Sequence, residues 1–376
     1  MFVLIKTLTE LPGMSGFEKP VTEWLQEKWK PYVEGIEFTG VGNLIAHVGG
    51  QGPKLLVEAH ADEIGFVIKS IDQNGFIWVA RTAAREARPG REVFLIGQPA
   101  VVQTDTGVVE EGFFAAVSGH VLVSSAKLRA KHDLDWDDIF VDIGASTAAE
   151  VRAKGVDVGN AVLWNPPTRR VGRLITGKAM DDRAGLAIMT ELLTRLETRK
   201  LKYDLYFSAT VQEELGLVGA GSLERFERFD LAIAVDVGLA GDVPGVEDRD
   251  MPVKLGAGPI FVHHDRNVHY DRGVIQSLSS VAQGAGIPVQ RSVFPVYCSD
   301  GVELVRLGVP TALIAFPARY THSPFESVDE NDLKQCVDLL QHFLEMPLSQ
   351  EVIGRFQVQE RSSRLRFNND SHGASN

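Results

Sequence analysis

Beyond about residue 164 the chain alternates apolar strand-like runs with amphipathic helical segments, and this alternation restricts the fold more than any other feature. The runs include "YDLYFSATV", "DLAIAVDVG" and "PTALIAF". The segments between and after them, such as "DRAGLAIMTELLTRLE" and "DENDLKQCVDLLQHFLE", place apolar residues at helical spacing, with Asp329 as the N-cap of the last. Strands alternating with helices predict an α/β fold, with a mixed, mostly parallel sheet flanked by helices.

Residues 66–163 have a different pattern, in which short β-type segments such as "GFIWVA", "EVFLI", "PAVVQ" and "FAAVSGHVLV" are separated by Gly and Pro. This predicts a small β-barrel inserted into the α/β domain, which would then consist of residues 1–65 and 164–350. Residues 357–376 have almost no apolar content, and we expect them to form a disordered tail.

Composition excludes several functional classes. The 376 residues carry a net charge of −12, which argues against nucleic acid and anionic membranes as main partners. Only Cys298 and Cys336 are present, without a C-x-x-C motif, so neither a disulfide framework nor a cysteine zinc site is expected. The N-terminal apolar run is broken by Lys6 and Glu10, so we expect no signal peptide or membrane span, and a cytoplasmic protein.

Ionisable residues follow or interrupt the apolar runs at several places. "LLVEAHADEIGFVI", residues 55–68, is apolar except around its "HADE", and such charges need partners when buried. In an open α/β sheet, ligands bind beyond the carboxyl ends of the strands, so side chains placed there converge in space. The candidate side chains are His60, Asp62, Asp181, Glu213, Glu214, Asp236 and His322.

Each candidate also has an ordinary structural explanation. Asp181 or its neighbour could cap a helix, the Glu213–Glu214 pair could form a solvated turn, and His322 could bond to the backbone. Together, however, histidines and carboxylates without cysteine form a nitrogen and oxygen donor set that suits Zn²⁺, Co²⁺ or Mn²⁺. A pair of divalent ions needs a bridging carboxylate, terminal ligands and a base, and these residue types supply all three.

Seven motifs occur in an order and spacing that resemble a known family, over roughly residues 5–347. They are "LTELPGMSGFE", "HADEIGFVI", "VDIGA", "GKAMDDRAG", "VQEELGLVGA", "VDV" and "RYTHSPFE". The family is that of the di-metal aminopeptidases that assemble as tetrahedral dodecamers, also called glutamyl or deblocking aminopeptidases, some with endoglucanase labels. One departure is residues 298–301, Cys-Ser-Asp-Gly, where the family more often has a Gly-Thr-Asp-Ala turn.

The resemblance implies a zinc-exopeptidase-like fold and a cytoplasmic homododecamer that removes N-terminal residues from short peptides. It implies two divalent cations per subunit, Zn²⁺ or Co²⁺. His60 and Asp236 would hold one ion and Glu214 and His322 the other, with Asp181 bridging both. Asp62 would orient His60 from behind the metal site, and Glu213 would act as general base.

Two other functions are compatible with part of this pattern. A glycoside hydrolase also uses paired carboxylates, although the two-carboxylate mechanism gives His60 and His322 no role. A non-catalytic metal-binding assembly protein would need the ligands but not Glu213. Peptide cleavage that depends on metal and on Glu213 separates the aminopeptidase from both.

Overall fold

Most of the chain is organised around one mixed β-sheet, in a computed structural model that describes residues 1–82, 92–107, 109–122 and 138–347. The predicted tail at 357–376 lies outside the described residues. The strands are β1 (Gly35–Phe38), β2 (Leu44–Gly50), β3 (Lys54–His60), β4 (Phe66–Ile71), β5 (Ile77–Arg81), β6 (Pro99–Gln103), β7 (Val109–Ala115), β8 (Phe140–Asp142), β9 (Ala161–Trp164), β10 (Arg169–Val171), β11 (Leu174–Gly177), β12 (Asp204–Thr210), β13 (Leu231–Leu239), β14 (Ile260–Asp265), β15 (Gln290–Phe294), β16 (Thr311–Arg319) and β17 (Glu326–Asp329).

Helices lie on both faces of this sheet and in the connections. They are α1 (Phe2–Glu10), α2 (Lys19–Trp29), α3 (Gly119–Leu122), α4 (Ala148–Ala153), α5 (Met180–Leu193), α6 (Val218–Ser222), α7 (Arg272–Ala285), α8 (Gly301–Arg306) and α9 (Glu330–Glu345). The predicted cap of the last helix is present, since the Asp329 side chain accepts from the amide of Asn331. Among the described residues, no helix is long and apolar enough to cross a membrane.

The centre of the main sheet is parallel, and this determines where the strand ends meet. The strand order is β1-β2-β12-β3-β13-β16-β17-β11-β10, with β14 paired to β16 and β15 to β14. The neighbours β12, β3, β13 and β16 run parallel, whereas the flanking pairs are antiparallel. Thr210 lies opposite His60 and Ala234 opposite Glu58, so the carboxyl ends of these strands share one edge.

Side chains of β3 alternate between the two faces of the sheet, and each face packs against a different apolar cluster. Leu55, Val57 and Ala59 join the large apolar core that includes α5 and α9. Leu56 points the other way and packs with Leu223 and other residues of a smaller cluster. The sheet is therefore buried on both faces, and the predicted α/β fold with flanking helices is confirmed.

The inserted barrel is closed, with strand order β4-β5-β8-β7-β6-β9. Its core contains Phe66, Phe114 and Trp164. Two predicted strand segments are wrong in detail, because "EVFLI" forms a 3₁₀ helix at Glu92–Leu95 and the end of "FAAVSGHVLV" forms α3. Short apolar runs do not distinguish a strand from a buried helical turn, and the burial of Leu95 satisfies either.

A buried ion cluster connects the segment after β3 to the N-terminal segment. Lys178 Nζ donates to both carboxylate oxygens of Glu63, at 2.6 and 2.7 Å. Arg183 lies 3.5 Å from the same carboxylate and also donates to the carbonyls of Leu8 and Gly13. All three charged side chains are at most 2% exposed. The cluster therefore holds the residue after Asp62 to the loop that follows α1.

Replacing Lys178 by Met should destabilise the protein by about 3 kcal/mol, because Glu63 would keep a buried charge without its main partner. Urea unfolding followed by circular dichroism measures the change. Lys200→Met is the matched control, since Lys200 forms an exposed pair with Glu197 and its loss should produce no measurable change. Equal stability of the two variants would show that the buried pair contributes nothing.

Candidate metal centre

The seven predicted side chains come together at the carboxyl edge of the central parallel strands. His60 ends β3, Asp236 lies within β13, and Glu213 and Glu214 follow β12. Asp181 lies in the first turn of α5, and His322 is in the loop after β16. These residues are up to 262 positions apart in the sequence, from 60 to 322. They lie close together because the parallel strands end at the same edge of the sheet.

Two groups of possible metal donors share Asp181. His60, Asp181 and Asp236 form one group, and Asp181, Glu214 and His322 form the other, with the donor atoms of each group within 4.8 Å of one another. His60 Nε2 lies 3.0 Å from Asp181 Oδ1, while His322 Nε2 lies 3.4 Å from Asp181 Oδ2. The two oxygens of Asp181 thus face different histidines, as a bridging carboxylate would.

The second group is more accessible than the first. His322 Nε2 lies 3.2 Å from Glu214 Oε1, and the side chain of His322 is 43% exposed. His60 and Asp236 are 2% and 3% exposed. The side of His322 is therefore the exposed side of the donor set.

Asp62 lies behind His60 and contacts the loop that carries the two glutamates. His60 Nδ1 faces the Asp62 carbonyl at 3.2 Å and its carboxylate at 3.4 Å, which leaves Nε2 directed at Asp181. The Asp62 oxygens accept from the amides of Glu213 and Glu214, at 2.9 and 3.1 Å, and from Ser15 Oγ at 2.6 Å. This carboxylate therefore contacts both the imidazole and the backbone of the glutamate loop.

The electrostatics of the site fit a bound cation. Burial and the charge of Asp181 raise the pKa of Asp236 to about 8, against the opposing influence of His60. Burial, followed by the charges of nearby carboxylates, also raises the pKa of Glu213 well above its usual range. Among the described residues, no donor reaches the buried oxygen Glu214 Oε1 in hydrogen-bonding geometry, although His322 Nε2 lies 3.2 Å away. A divalent cation would relieve the repulsion and satisfy this oxygen, and the all-nitrogen and oxygen donor set suits Zn²⁺ or Co²⁺.

Three supporting residues were not predicted individually, although each lies in or beside a quoted motif. Glu326 accepts from the amides of Asp181 and His322, at 3.0 and 2.6 Å, and Asp182 accepts from the amide of His60 at 3.2 Å. Ser15 donates to Asp62, as described above. Glu326 and Asp182 bond to backbone amides, and Ser15 bonds to the carboxylate of Asp62. The residue pattern alone does not reveal such partners.

The departure at residues 298–301 lies beside this site. Asp300 is 1% exposed and accepts a hydrogen bond from Thr210 Oγ1. Burial raises the pKa of Asp300 to about 7, although the Thr210 hydroxyl and the charge of His60 oppose it. Ser299 hydrogen-bonds Asp236. Ser299 therefore contacts a possible donor directly, whereas Asp300 contacts Thr210, the register partner of His60.

An α/β sheet that gathers histidines and carboxylates at its strand ends in this way is the arrangement of a metal-dependent hydrolase. The chain belongs to the M42 glutamyl aminopeptidase family, whose sequence model matches residues 42–339. It is therefore an aminopeptidase, and the predicted family and enzyme class are confirmed.

Named relatives and solved structures agree with this family over almost the whole chain. A lysyl aminopeptidase of Pyrococcus furiosus is 30% identical over 355 residues, covering 91% of this chain and 96% of the relative. The structure of aminopeptidase APDkam598 from Desulfurococcus kamchatkensis has a TM-score of 0.86 at 33% identity and covers 95% and 97% of the two chains. The Pyrococcus horikoshii TET1 peptidase, which can assemble into a tetrahedron or a large octahedral shell, has a TM-score of 0.79 at 27% identity and covers 91% and 98%.

Without metal, the protein should become less stable as the pH rises from 6 to 8. The folded-state pKa values of Asp236 and Glu326 are about 8, raised first by burial and then by the charge of Asp181. In the unfolded chain such carboxyls titrate near about 4, so the folded state binds more protons in this window. Each extra proton lowers the free energy of unfolding by about 1.4 kcal/mol per pH unit.

Thermal unfolding at pH 6, 7 and 8, with chelator and with added Zn²⁺, checks this expectation. Bound cation requires deprotonated ligands, so it should weaken or reverse the fall in Tm. A Tm that rises with pH in the presence of chelator would contradict the expectation.

Proposed function

We propose that the enzyme removes N-terminal residues from short peptides at a site that binds two divalent cations, Zn²⁺ or Co²⁺. His60 and Asp236 would hold one ion, Glu214 and His322 the other, and Asp181 would bridge them. The observation that carries the proposal is the pair of donor groups that share Asp181. When bound, such ions acidify a water molecule and polarise a carbonyl group.

Glu213 is the proposed general base. Its carboxylate lies with donor atoms of His60 and Glu214 in a group no wider than 4.8 Å, and the residue is 8% exposed. From this position it accepts the proton of the attacking water on a carboxylate oxygen and delivers it to the leaving amine nitrogen. Asp62 holds the Glu213 amide and the His60 ring at the same time, and so fixes base and ligand relative to each other.

The same site supports cleavage at a free N-terminus. With cations bound, a cation and a neighbouring carboxylate would together hold the free amine of the substrate, and an acetylated amine loses both interactions. A peptide whose amine is blocked by acetylation should therefore be a poor substrate.

The carboxylates alone would also be compatible with a glycoside hydrolase, but the histidines argue against one. A two-carboxylate glycosidase has no use for His60 and His322, each of which faces an oxygen of Asp181. A non-catalytic metal-binding protein would need no base beside the ligands, whereas the Glu213 carboxylate is buried in one group with His60 and Glu214.

The proposal extends to the organisation of the enzyme. We assign the catalytic domain to residues 1–65 and 164–350 and the inserted barrel domain to 66–163. The chain would act as a homododecamer, with the similarity to the P. horikoshii TET1 peptidase as support. A cytoplasmic location agrees with two free cysteines, one of them buried.

Glu213→Gln should lower kcat on a short unblocked peptide by about 10²- to 10⁴-fold while the metal content stays unchanged, because only the base is removed. Glu214→Gln should instead lose bound metal. Peptide hydrolysis and elemental analysis measure both effects. Glu247→Gln is the control, since its side chain is 68% exposed. Undiminished activity of Glu213→Gln, or activity that persists after complete metal removal, would contradict the proposed mechanism.

The mass of the native particle tests the assembly. Light scattering after size exclusion, or native mass spectrometry, should give twelve times the chain mass of 41.2 kDa. A stable monomer would contradict the proposed dodecamer without affecting the catalytic site.

A further inference from the structure

The loop that carries the proposed base is held through its amides by side chains from three distant segments. We call residues 211–214 the base loop; it follows β12 directly. Its four successive N–H groups all donate to side-chain oxygens and not to a neighbouring strand. The pairs are Val211 to Asn43 Oδ1 at 3.0 Å, Gln212 to Glu18 Oε1 at 2.9 Å, Glu213 to Asp62 Oδ1 at 2.9 Å and Glu214 to Asp62 Oδ2 at 3.1 Å.

Carbonyl groups of the base loop are satisfied by the turn into α6. The Val211 carbonyl accepts from Gly219 and the Gln212 carbonyl from Val218, at 2.9 and 3.2 Å. Gln212 has a φ of +54°, a left-handed conformation that is unfavourable for a residue other than glycine. Such a conformation persists only where surrounding contacts determine it, and the side-chain acceptors provide these contacts.

Glu18 holds Gln212, the residue with the left-handed conformation, through its backbone amide. It is 6% exposed, and its Oε1 accepts from the amides of both Gly16 and Gln212, at 2.7 and 2.9 Å. Burial and the charge of Asp62 raise the pKa of Glu18 to about 7, against the opposing backbone hydrogen bonds. A carboxyl group offers an acceptor oxygen whether or not it is protonated. The reach of the side chain therefore matters here more than its charge.

Asn43 holds the other end of the base loop. It is fully buried, and its Nδ2 donates to the Gly219 carbonyl and to Ser222 Oγ, at 2.9 and 3.1 Å. A Cβ added at Gly219 would overlap Asn43 Oδ1 and lie 2.6 Å from the Val211 nitrogen. The glycine is thus needed for close packing between α6 and the base loop.

We propose that Glu18 and Asn43 are positioning residues of the aminopeptidase, which fix the base loop so that Glu213 meets the attacking water in the productive orientation. The inference rests on the proposed role of Glu213. Glu18 belongs to none of the donor groups found among the described residues, and the Asn43 side chain is engaged by Val211, Gly219 and Ser222. Both act on the backbone that carries the base, so their loss should lower kcat at saturating substrate and metal.

Variants of Glu18 separate the reach of the side chain from its charge. Glu18→Asp keeps the charge but shortens the side chain by one methylene, whereas Glu18→Gln keeps the reach and an acceptor oxygen. Since a displacement of about 1 Å can cost about 10²-fold in rate, we expect Glu18→Asp to lower kcat at least about tenfold, with KM within about twofold. Glu18→Gln should retain at least about a third of kcat. Glu23→Gln in α2, the helix that follows Glu18, is the control, because its side chain is 56% exposed.

A second pair of variants tests the Asn43 end and does not depend on the folding of the Glu18 variants. Gly219→Ala forces the new methyl group against Asn43 and Val211, and we expect kcat to fall at least about tenfold. Gly284→Ala in α7 is its control, since a Cβ there meets nothing within 4 Å. Metal content is measured for every variant and should match that of the unsubstituted enzyme.

The outcomes separate this inference from the proposed function. An unsubstituted enzyme without aminopeptidase activity would defeat the proposed function itself. With that enzyme active, full kcat in both Glu18→Asp and Gly219→Ala would overturn the inference. The inference would also be overturned if kcat of Glu18→Gln were as low as that of Glu18→Asp. It would be overturned as well if the loss of activity in the variants followed a loss of bound metal.

Discussion

One buried carboxylate, Asp62, connects the parts of the molecule on which the proposed chemistry depends. It faces the Nδ1 of His60, accepts from Ser15 Oγ, and accepts from the amides of Glu213 and Glu214. Burial would raise the pKa of Asp62, but the hydrogen bonds and charge of His60, together with the bonds from Ser15 and Glu213, lower it overall. The group therefore remains an anion, and an anion can hold an imidazole and two amides in one geometry.

The parallel centre of the sheet creates the site and also brings buried carboxylates close enough to repel one another. Four neighbouring strands end at one edge, so side chains that follow them accumulate there. Most of these side chains are carboxylates, and burial together with their mutual repulsion raises the pKa of Asp236 and Glu213. A structural protein would gain nothing from such a cluster. A metal-dependent hydrolase needs it, because bound cations offset the repulsion and supply the chemistry.

Much of the candidate site could be predicted because its residues carry their own signal. His60 and Asp236 interrupt apolar runs, and a charge in that position requires a partner. The residues that position the site carry no such signal. Glu18 and Asn43 accept hydrogen bonds from backbone amides 194 and 168 positions away, and any residue except proline could have supplied those amides. For the same reason Glu326 was not predicted, since its partners are also main-chain N–H groups.

The sequence by itself determined the fold class and the kinds of donor available, because hydrophobic periodicity and residue chemistry are local properties of the chain. It did not decide between strand and helix for short apolar runs such as the one at residues 92–96, where burial satisfies both. Only the tertiary structure decided which oxygen faces which histidine and which side chains hold the base loop. Those contacts join segments far apart in the chain, and their geometry depends on strand register and packing, which no local pattern specifies.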